Sequence, residues 1–221
     1  MRLYELTWGP FPRRVVIYLA EKGITDIERV PLDVLTGEHK NPDFLRKNPL
    51  GQLPVLEVQP DIHISQSLPI IEYLEERFPE PNLIGSTPLE RARTRELIAL
   101  IADTYAFFSS YAKHASPAMA GFVEQHAQFA AAYRREYLAA LKSLEIVASG
   151  GQFLCGERLT IADCIFFSSA QFAHLFYDVE LPEDCSKLRT HYGRFSARRS
   201  AQPASFPDSV YPSAKIPRSA R

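Results

Sequence analysis

The sequence is poor in the residues that build disulfide frameworks and metal sites. Its three cysteines, Cys155, Cys164 and Cys185, form no Cys-x-x-Cys pair, so they indicate neither a disulfide scaffold nor a structural zinc site. The six histidines are scattered along the chain without a His/Glu cluster at helical ligand spacing, and we expect no bound metal. This cysteine content fits a reducing compartment best, so a cytoplasmic protein is expected.

An excess of one charge and long apolar runs are also missing. The 25 Lys and Arg residues nearly balance the 26 Asp and Glu residues, which leaves no electrostatic footprint for nucleic acid or for an anionic membrane. No apolar run approaches the roughly 18 residues of a membrane span, and the charged start Met1 to Glu5 is unlike a signal peptide. We therefore expect no nucleic-acid partner and no membrane partner. The composition, 46% hydrophobic and 23% charged over 221 residues, is that of an ordinary globular protein with a sizeable core.

The first third of the chain alternates short strands with helices. Turn residues and apolar patterning predict the order β-α-β-α-β-β-α, in which two parallel strands need a crossover helix and the last two strands form a hairpin. The predicted elements are strands at 3–6 and 27–32, helices at 13–22, 41–47 and 66–77, and a hairpin at 55–64. This is the thioredoxin-like arrangement, an α/β fold.

The character of the sequence changes after residue 78. Pro and Gly punctuate a linker, and apolar residues then recur every three or four positions in two long helical segments. Thr160 and Asp163 have the pattern of a capping box at the start of a further helix. The predicted domains are a thioredoxin-like domain at 1–78, a linker at 79–88, an all-α bundle at 89–202 and a tail at 203–221. The tail is rich in Pro, Ser and Arg and is expected to lie on the surface or to be disordered.

Two stretches carry the strongest functional signal. In Asn48 to Leu56 a Pro-Gly turn is followed by Leu53-Pro54 directly before a strand; proline cannot donate to a sheet ladder, so the residue before it keeps its backbone groups for another partner. In Ile64 to Leu74 a strand leads into a helix through Gln66 and Ser67, where unpaired amides and the helix dipole favour a carboxylate. Each signal alone has an ordinary reading, as an edge proline or a helix cap. Together they predict an edge that binds a small peptide beside an anion-binding helix start.

This order of elements resembles the glutathione site of the cytosolic glutathione S-transferases, of bacterial type, and the resemblance extends over about residues 2–200. It implies a thioredoxin-like domain followed by an all-α helical bundle. It also implies that the Leu53-Pro54 bond is cis, that the Leu53 backbone pairs with the cysteinyl part of glutathione, and that Gln66 and Ser67 bind the γ-glutamyl end. The family often has Glu where this chain has Gln66. The implied glutathione-binding residues are Phe11, His39, Lys40, Gln52, Leu53, Pro54, Gln66 and Ser67.

His39 and Lys40 follow a turn and are implied to pair with the glycyl carboxylate of glutathione, as Lys or His does in the family. The alternative is an exposed pair of charges in a loop.

The loop that should activate the thiol departs from the family's pattern. Residues 7–15 resemble the family's Ser-Pro-x-x-Arg-Arg-Val loop, but Gly9 stands at the position of the catalytic Ser or Cys, and no nearby Tyr replaces it. Three interpretations stay open. The amides of Phe11 and Arg13, with the helix dipole, hold the thiolate; or Thr7, the candidate catalytic residue, donates its hydroxyl; or the protein binds glutathione weakly or serves another purpose.

Aromatic side chains near this loop and on the first long helix are the candidates for the pocket of a second substrate. They are Trp8, Phe11, Tyr105, Phe108, Tyr111 and His114. For the four on the helix, packing in the core or at a dimer interface is the alternative.

The resemblance implies glutathione as cosubstrate, a small hydrophobic electrophile that is conjugated to its thiolate, and a homodimer. A non-catalytic member of the fold that acts through protein partners or ligand binding is the rival interpretation. A glutathione-dependent disulfide reductase is disfavoured, because no Cys precedes Arg13.

Overall fold

The computed structural model describes residues 1–217 and residue 220, and the chain forms two compact units. The first unit contains Met1–Leu83 together with Arg199–Ser205, and the second contains Ile84–Arg198 together with the described residues from Phe206 on. The break after Leu83 falls inside the predicted linker. The return of Arg199–Ser205 to the first unit was not predicted from the sequence.

The first unit is built on a four-stranded mixed sheet. Its strands are β1 (Arg2–Glu5), β2 (Glu28–Pro31), β3 (Val55–Gln59) and β4 (Ile62–Ser65). They lie in the order β2-β1-β3-β4, with β1 parallel to β2 and antiparallel to β3, and with β3 antiparallel to β4. The predicted thioredoxin-like arrangement is confirmed.

Three helices accompany this sheet: α1 (Pro10–Lys22), α2 (Pro42–Lys47) and α3 (Ser67–Arg77). Helix α1 begins at Pro10, three residues before the predicted start at Arg13. Proline suits the first helical position, because the amide proton that it lacks would have no partner there. It ends at Gly23 as predicted, with a left-handed φ of 70°. Asn41 caps α2 by accepting a hydrogen bond from the Phe44 amide.

A buried charged cluster joins α1 to α3. The Lys22 ammonium lies 2.9 Å from a carboxylate oxygen of Glu75, with side-chain exposures of 0% and 6%. The Tyr18 hydroxyl and the Leu83 amide also donate to this carboxylate, each at 2.6 Å, and Lys22 donates to the carbonyl of Pro81 at 2.6 Å. The cluster therefore fixes both helices and the segment that follows α3.

The described part of the second unit contains helices and no named β-strand. Its helices are α4 (Pro88–Ala115), α5 (Ala127–Val147), α6 (Ile161–Tyr177), α7 (Ser186–Ser196) and α8 (Tyr211–Ala214). Helix α6 is the central one and nearly all of its residues are buried, and the capping box of Thr160 and Asp163 starts it as predicted. Among the described residues, no helix combines the length and the apolar character that crossing a membrane requires.

The C-terminal segment corrects the expectation of a surface or disordered tail. Ala214 and Ile216 are fully buried, and the Ser116 hydroxyl donates to the Ala214 carbonyl at 2.6 Å. Isolated apolar residues in a Pro- and Ser-rich segment give no periodic signal, so their burial could not be predicted. Three tail positions, residues 218, 219 and 221, lie outside the described residues.

Candidate functional site

The loop before β3 is shaped by Asn48, which is 3% exposed. Its side-chain amide donates to the carbonyl of Gln52 at 2.8 Å, and its side-chain oxygen accepts from the Leu50 amide at 3.2 Å. The Leu53-Pro54 peptide that follows is cis, as the resemblance implied. This role of Asn48 was not predicted, although an Asn at the start of a Pro-Gly turn is a signal for such side-chain bonds.

Gly51 brings this loop against residues 39 and 40. Its φ is 56°, and a Cβ at this position would lie 2.8 Å from the Lys40 ammonium and 2.9 Å from the His39 carbonyl, so only glycine fits without a shift. Lys40 donates to the Leu50 carbonyl at 3.2 Å. The structure thus places the Lys40 cation beside the loop that contains Gln52.

His39 is half-buried, and it contributes less charge than the sequence suggests. Burial, and after it the charge of Lys40, lower the pKa of His39 below its ordinary value of 6.5. At pH 7 the ring is therefore mostly neutral. Lys40 is then the cation of the pair.

The start of α3 lies beside the same loop. The Gln66 side chain donates to the Gln52 side-chain oxygen at 3.2 Å, and Gln66 has a φ of 72° and a ψ of 133°, a strained conformation of a kind that clusters at ligand sites. Ser67, the first residue of α3, is 5% exposed. The Ile70 amide donates to the Gln66 carbonyl and Pro69 has no amide proton, so Ser67 and Leu68 provide the first-turn amides for an anion.

The start of α1 has few donors. Gly9 is the N-cap, without a side-chain cap, and Pro10 and Pro12 have no amide proton. The Arg13 amide donates to the Gly9 carbonyl at 3.0 Å as an ordinary helical bond, which corrects the hypothesis that this amide holds a thiolate. This helix start offers at most one amide to a ligand, that of Phe11.

Thr7 lies in the turn between β1 and α1 and is exposed. Its role in catalysis stays a prediction.

The Arg13 side chain anchors the returning C-terminal segment. Its guanidinium donates to the carbonyl oxygens of Ser200, at 3.0 Å, and Gln202. Burial, and then the charge of Arg29, lower the pKa of Arg13 to about 10, against the raising effect of Glu5, so the group stays charged at pH 7. Arg13 and Ser200 are 187 residues apart, and no local pattern could have predicted this contact.

Two of the six residues predicted to line a substrate pocket belong to the core. Phe108 is 2% exposed and Tyr111 is 1% exposed, and the Phe108 ring packs against Tyr137 and Tyr177 at centroid distances of 5.2 and 5.5 Å. For these two the pocket prediction is corrected. Helical periodicity shows which face of a helix is apolar, and at these two residues neighbouring helices cover that face.

The other four predicted pocket residues keep accessible surface. Tyr105 and His114 are half-buried within the second unit, and His114 stacks on Tyr133 at 6.1 Å. In the first unit, Trp8 is half-buried and Phe11 is 39% exposed. Their role in substrate binding stays a prediction.

Comparisons with known proteins find matches to the same family in both units. Two family models match, that of the glutathione S-transferase N-terminal domain over residues 8–77 and that of the C-terminal domain over residues 104–201. Glutathione S-transferase 2 of Saccharomyces cerevisiae is 30% identical over 210 residues, which cover 91% of this chain and 88% of that protein. A maleylacetoacetate isomerase of Pseudomonas aeruginosa is 44% identical over 103 residues, which cover 46% of this chain and 48% of that protein. The crystal structure of a glutathione S-transferase domain-containing protein from Marinobacter aquaeolei VT8 superposes with a TM-score of 0.80 at 33% identity, covering 91% of this chain and 100% of that one.

Proposed function

Because this chain belongs to the glutathione S-transferase family, we propose that it binds glutathione in its first unit and joins the thiolate sulfur to a hydrophobic electrophile. The observation that carries the proposal is the start of α3, where strained Gln66 and buried Ser67 lie beside the Gln52 to Pro54 loop. That arrangement combines a helix start for a carboxylate with an extended segment for a peptide backbone.

Each part of glutathione has a matching group in this arrangement. The γ-glutamyl carboxylate accepts hydrogen bonds from the Ser67 hydroxyl and from the first-turn amides of α3. The backbone of Leu53 pairs with the cysteinyl residue. The glycyl carboxylate pairs with Lys40, which is already positioned by its bond to the Leu50 carbonyl, while the mostly neutral His39 donates no full charge.

Activation of the thiol is the weaker part of this site. A free thiol has a pKa of about 8.5, and the thiolate is the nucleophile. A helix dipole contributes about 0.3–1 kcal/mol, which at about 1.36 kcal/mol per pKa unit lowers this pKa by less than about one unit. With Gly9 as the N-cap of α1, we expect slow turnover with generic electrophiles.

Calorimetry with glutathione tests the proposal. Ser67→Ala removes the one side-chain hydroxyl at the start of α3, and we expect glutathione to bind more weakly by about 1.5–3 kcal/mol, the worth of a hydrogen bond to a charged group. Ser143→Ala, on the exposed surface of α5, is the matched control and should leave the affinity unchanged. Equal affinities of the Ser67 variant and the parent would refute this site, and a parent that binds no glutathione would favour the non-catalytic rival.

An isomerase activity is the second candidate, favoured by the 44% identity to the maleylacetoacetate isomerase of Pseudomonas aeruginosa. Such a reaction returns its glutathione unchanged, whereas conjugation consumes it. Assays that follow the free thiol distinguish the two. Loss of thiol together with an electrophile supports conjugation, and turnover of a cis-unsaturated diketo acid at constant thiol supports isomerisation.

The proposal includes a two-fold homodimer in the cytosol. The family implies that α3 of one subunit contacts the long helices of the other, and closed two-fold dimers are the commonest soluble oligomers. Sedimentation at micromolar concentration should show a dimer, and a monomer alone would contradict it. A reducing cytosol also keeps the glutathione thiol and the three cysteines in their reduced form.

A further inference from the structure

A cleft between α6 and α7 brings charged, aromatic and aliphatic residues together in the second unit. Its volume is about 240 Å³, somewhat below the roughly 300–1,000 Å³ of pockets for drug-sized ligands, so it suits one small molecule. The described residues that line it are Ala170 and His174 of α6, Glu180 and Leu181 of the connecting loop, and Arg189, Tyr192 and Gly193 of α7.

The cleft has one negative and one positive side chain that do not pair with each other. Within the part of the chain that the structure describes, the exposed Glu180 carboxylate makes no hydrogen bond and no ion pair. The exposed Arg189 guanidinium donates to the Leu181 carbonyl at 2.9 Å. A guanidinium has five N–H donors, so Arg189 keeps donors for an anion. The cleft therefore offers an acceptor to a cation and donors to an anion.

The neighbouring carboxylates of the connecting loop do not line the cleft. Asp184 pairs with Lys142 at 3.0 Å. Glu183 is exposed and is not among the described lining residues. Glu180 is therefore the carboxylate that a ligand in the cleft would meet.

The rest of the lining is aromatic and aliphatic. The Tyr192 ring stacks on Phe167 of α6 at a centroid distance of 5.3 Å, and it meets the His174 ring edge-to-face at 5.9 Å. Ala170 and Leu181 add aliphatic surface. Such a surface covers an apolar ligand group, and an aromatic face also attracts an ammonium.

Gly193 leaves room in the wall of the cleft. It lies inside α7, where glycine is less favourable than alanine. A Cβ at this position would meet no atom within 4 Å, so the packing of the helices does not require glycine. The missing side chain widens the cleft instead.

We propose that this cleft binds a free α-amino acid with an apolar side chain. Near neutral pH such a molecule has one ammonium and one carboxylate. The ammonium donates to Glu180, the carboxylate accepts from Arg189, and the apolar side chain lies against Leu181 and the two rings. All the described lining residues belong to the second unit, so this site is separate from the proposed glutathione site.

Calorimetry on the whole protein with L-phenylalanine and its singly charged analogues tests the ligand class. Phenethylamine lacks the carboxylate and 3-phenylpropionate lacks the ammonium. We expect phenylalanine to bind, and each analogue to bind at least about tenfold more weakly, as for the loss of a hydrogen bond between charged groups. No binding of phenylalanine at millimolar concentration, or an analogue that binds as tightly as phenylalanine, would overturn the proposal.

Two charge variants test the residues that recognise the ligand. Glu180→Gln and Arg189→Met should each lower phenylalanine affinity at least about tenfold. The matched controls are Glu183→Gln, which removes the same charge from the same loop, and Arg135→Met, which removes an exposed guanidinium from α5. Equal affinities of the Glu180 and Glu183 variants would show that no carboxylate of the cleft binds the ammonium, which contradicts the proposal.

A third variant tests the location and does not depend on the charges. Gly193→Leu should fold, since its Cβ has open space, and it should fill the cleft and lower phenylalanine affinity at least about tenfold. Gly150→Leu is the control, because its Cβ also meets no atom within 4 Å and it lies outside this cleft. Unchanged affinity in the Gly193 variant would reject the proposal even if the Arg189 variant failed to fold.

Ser67→Ala distinguishes this cleft from the proposed glutathione site, whose γ-glutamyl part is also an α-amino acid group. We expect this variant to bind phenylalanine as the parent does. A loss of phenylalanine affinity would place the amino acid at the start of α3 and reject the cleft. Failure of the parent to bind glutathione would refute the proposed function and leave the result for the cleft unaffected.

Discussion

Helices α1 and α3 of the first unit have starts of opposite chemistry. Helix α3 begins with the buried hydroxyl of Ser67 after strained Gln66. Helix α1 begins with two prolines after Gly9, without a side-chain cap. Both helix starts have the same positive dipole end, but only α3 adds a side-chain hydroxyl.

This difference separates binding from activation. In the proposed site, a hydroxyl and amides at α3 would stabilise a carboxylate that is charged before and after the reaction, so they would contribute affinity without lowering the barrier. A side-chain donor for the developing thiolate would have to lie at the start of α1. Gly9 occupies that position and provides no side chain. We conclude that the first unit is better built to hold glutathione than to activate it.

The largest expected effect comes from the cluster that supports both helices. Glu75→Ala would leave the buried Lys22 ammonium unpaired and would remove the acceptor of Tyr18 and Leu83. Breaking a buried pair in this way costs about 3–5 kcal/mol. We expect a loss of this size in the free energy of unfolding, measured by urea denaturation.

The control for this variant is Glu76→Ala, which removes an exposed carboxylate from the next position of α3. Surface changes of this kind stay within about 0.5 kcal/mol. Equal stabilities of the two variants would show that the cluster does not support the two helices.

Gly9→Ser restores a side-chain donor at the start of α1. The φ of −73° and ψ of 141° at Gly9 are open to any residue, so the backbone does not require glycine there. A charge-assisted hydrogen bond worth about 1.5–3 kcal/mol would lower the thiol pKa by at least about one unit. We expect conjugation of a generic electrophile at neutral pH to rise by about tenfold, since thiolate is the minor form in the parent and the gain levels off once thiolate becomes the major form.

The matched control is Gly9→Ala, which adds the same Cβ without the hydroxyl. That Cβ would lie 3.0 Å from a methyl carbon of the Leu6 side chain, so Leu6 must move by a few tenths of an ångström in both variants. If the Ala variant gains as much activity as the Ser variant, the hydroxyl is not the cause and the comparison between the two helix starts loses its mechanistic meaning.

A smaller effect concerns the pH dependence of stability. Burial and the Lys40 charge lower the pKa of His39 below 6.5 in the folded protein. As the pH falls below 6.5, the unfolded chain therefore takes up a proton before the folded protein does, and stability present above that pH is lost. His39→Gln should show a flatter decline of unfolding free energy below that pH.

An NMR titration of the ring provides a second measurement. Lys40→Met removes the second cause of the shift, so it should raise the His39 pKa only part of the way, because burial is the larger cause. A complete return to 6.5 would contradict this order of causes.

The smallest expected effect is that of Thr7→Val. Thr7 is exposed in the turn before α1, and a substitution there should change stability by no more than about 0.5 kcal/mol. We expect glutathione binding and turnover to match the parent. A variant that binds glutathione normally but has lost turnover would identify Thr7 as the activating group and overturn the account based on the α1 dipole.

Short-range signals in the sequence determined much of the fold and of the proposed glutathione site. Gly23 ends α1, Asn41-Pro42 starts α2, and Thr160 with Asp163 starts α6, as predicted. These features depend on residues a few positions apart, which the sequence displays directly. The turn before Pro54 and the start of α3 were recognisable for the same reason.

Only the tertiary structure decided which distant groups meet. It paired Asp163 with His191, 28 residues away, and it returned Ser200 to Arg13. It also buried Phe108 and Tyr111 in the core of the second unit. A periodic pattern shows which face of a helix is apolar, and a buried charge needs an oppositely charged or hydrogen-bonding partner. Which residues cover that face, and which residue pairs with that charge, depend on the packing of the whole chain.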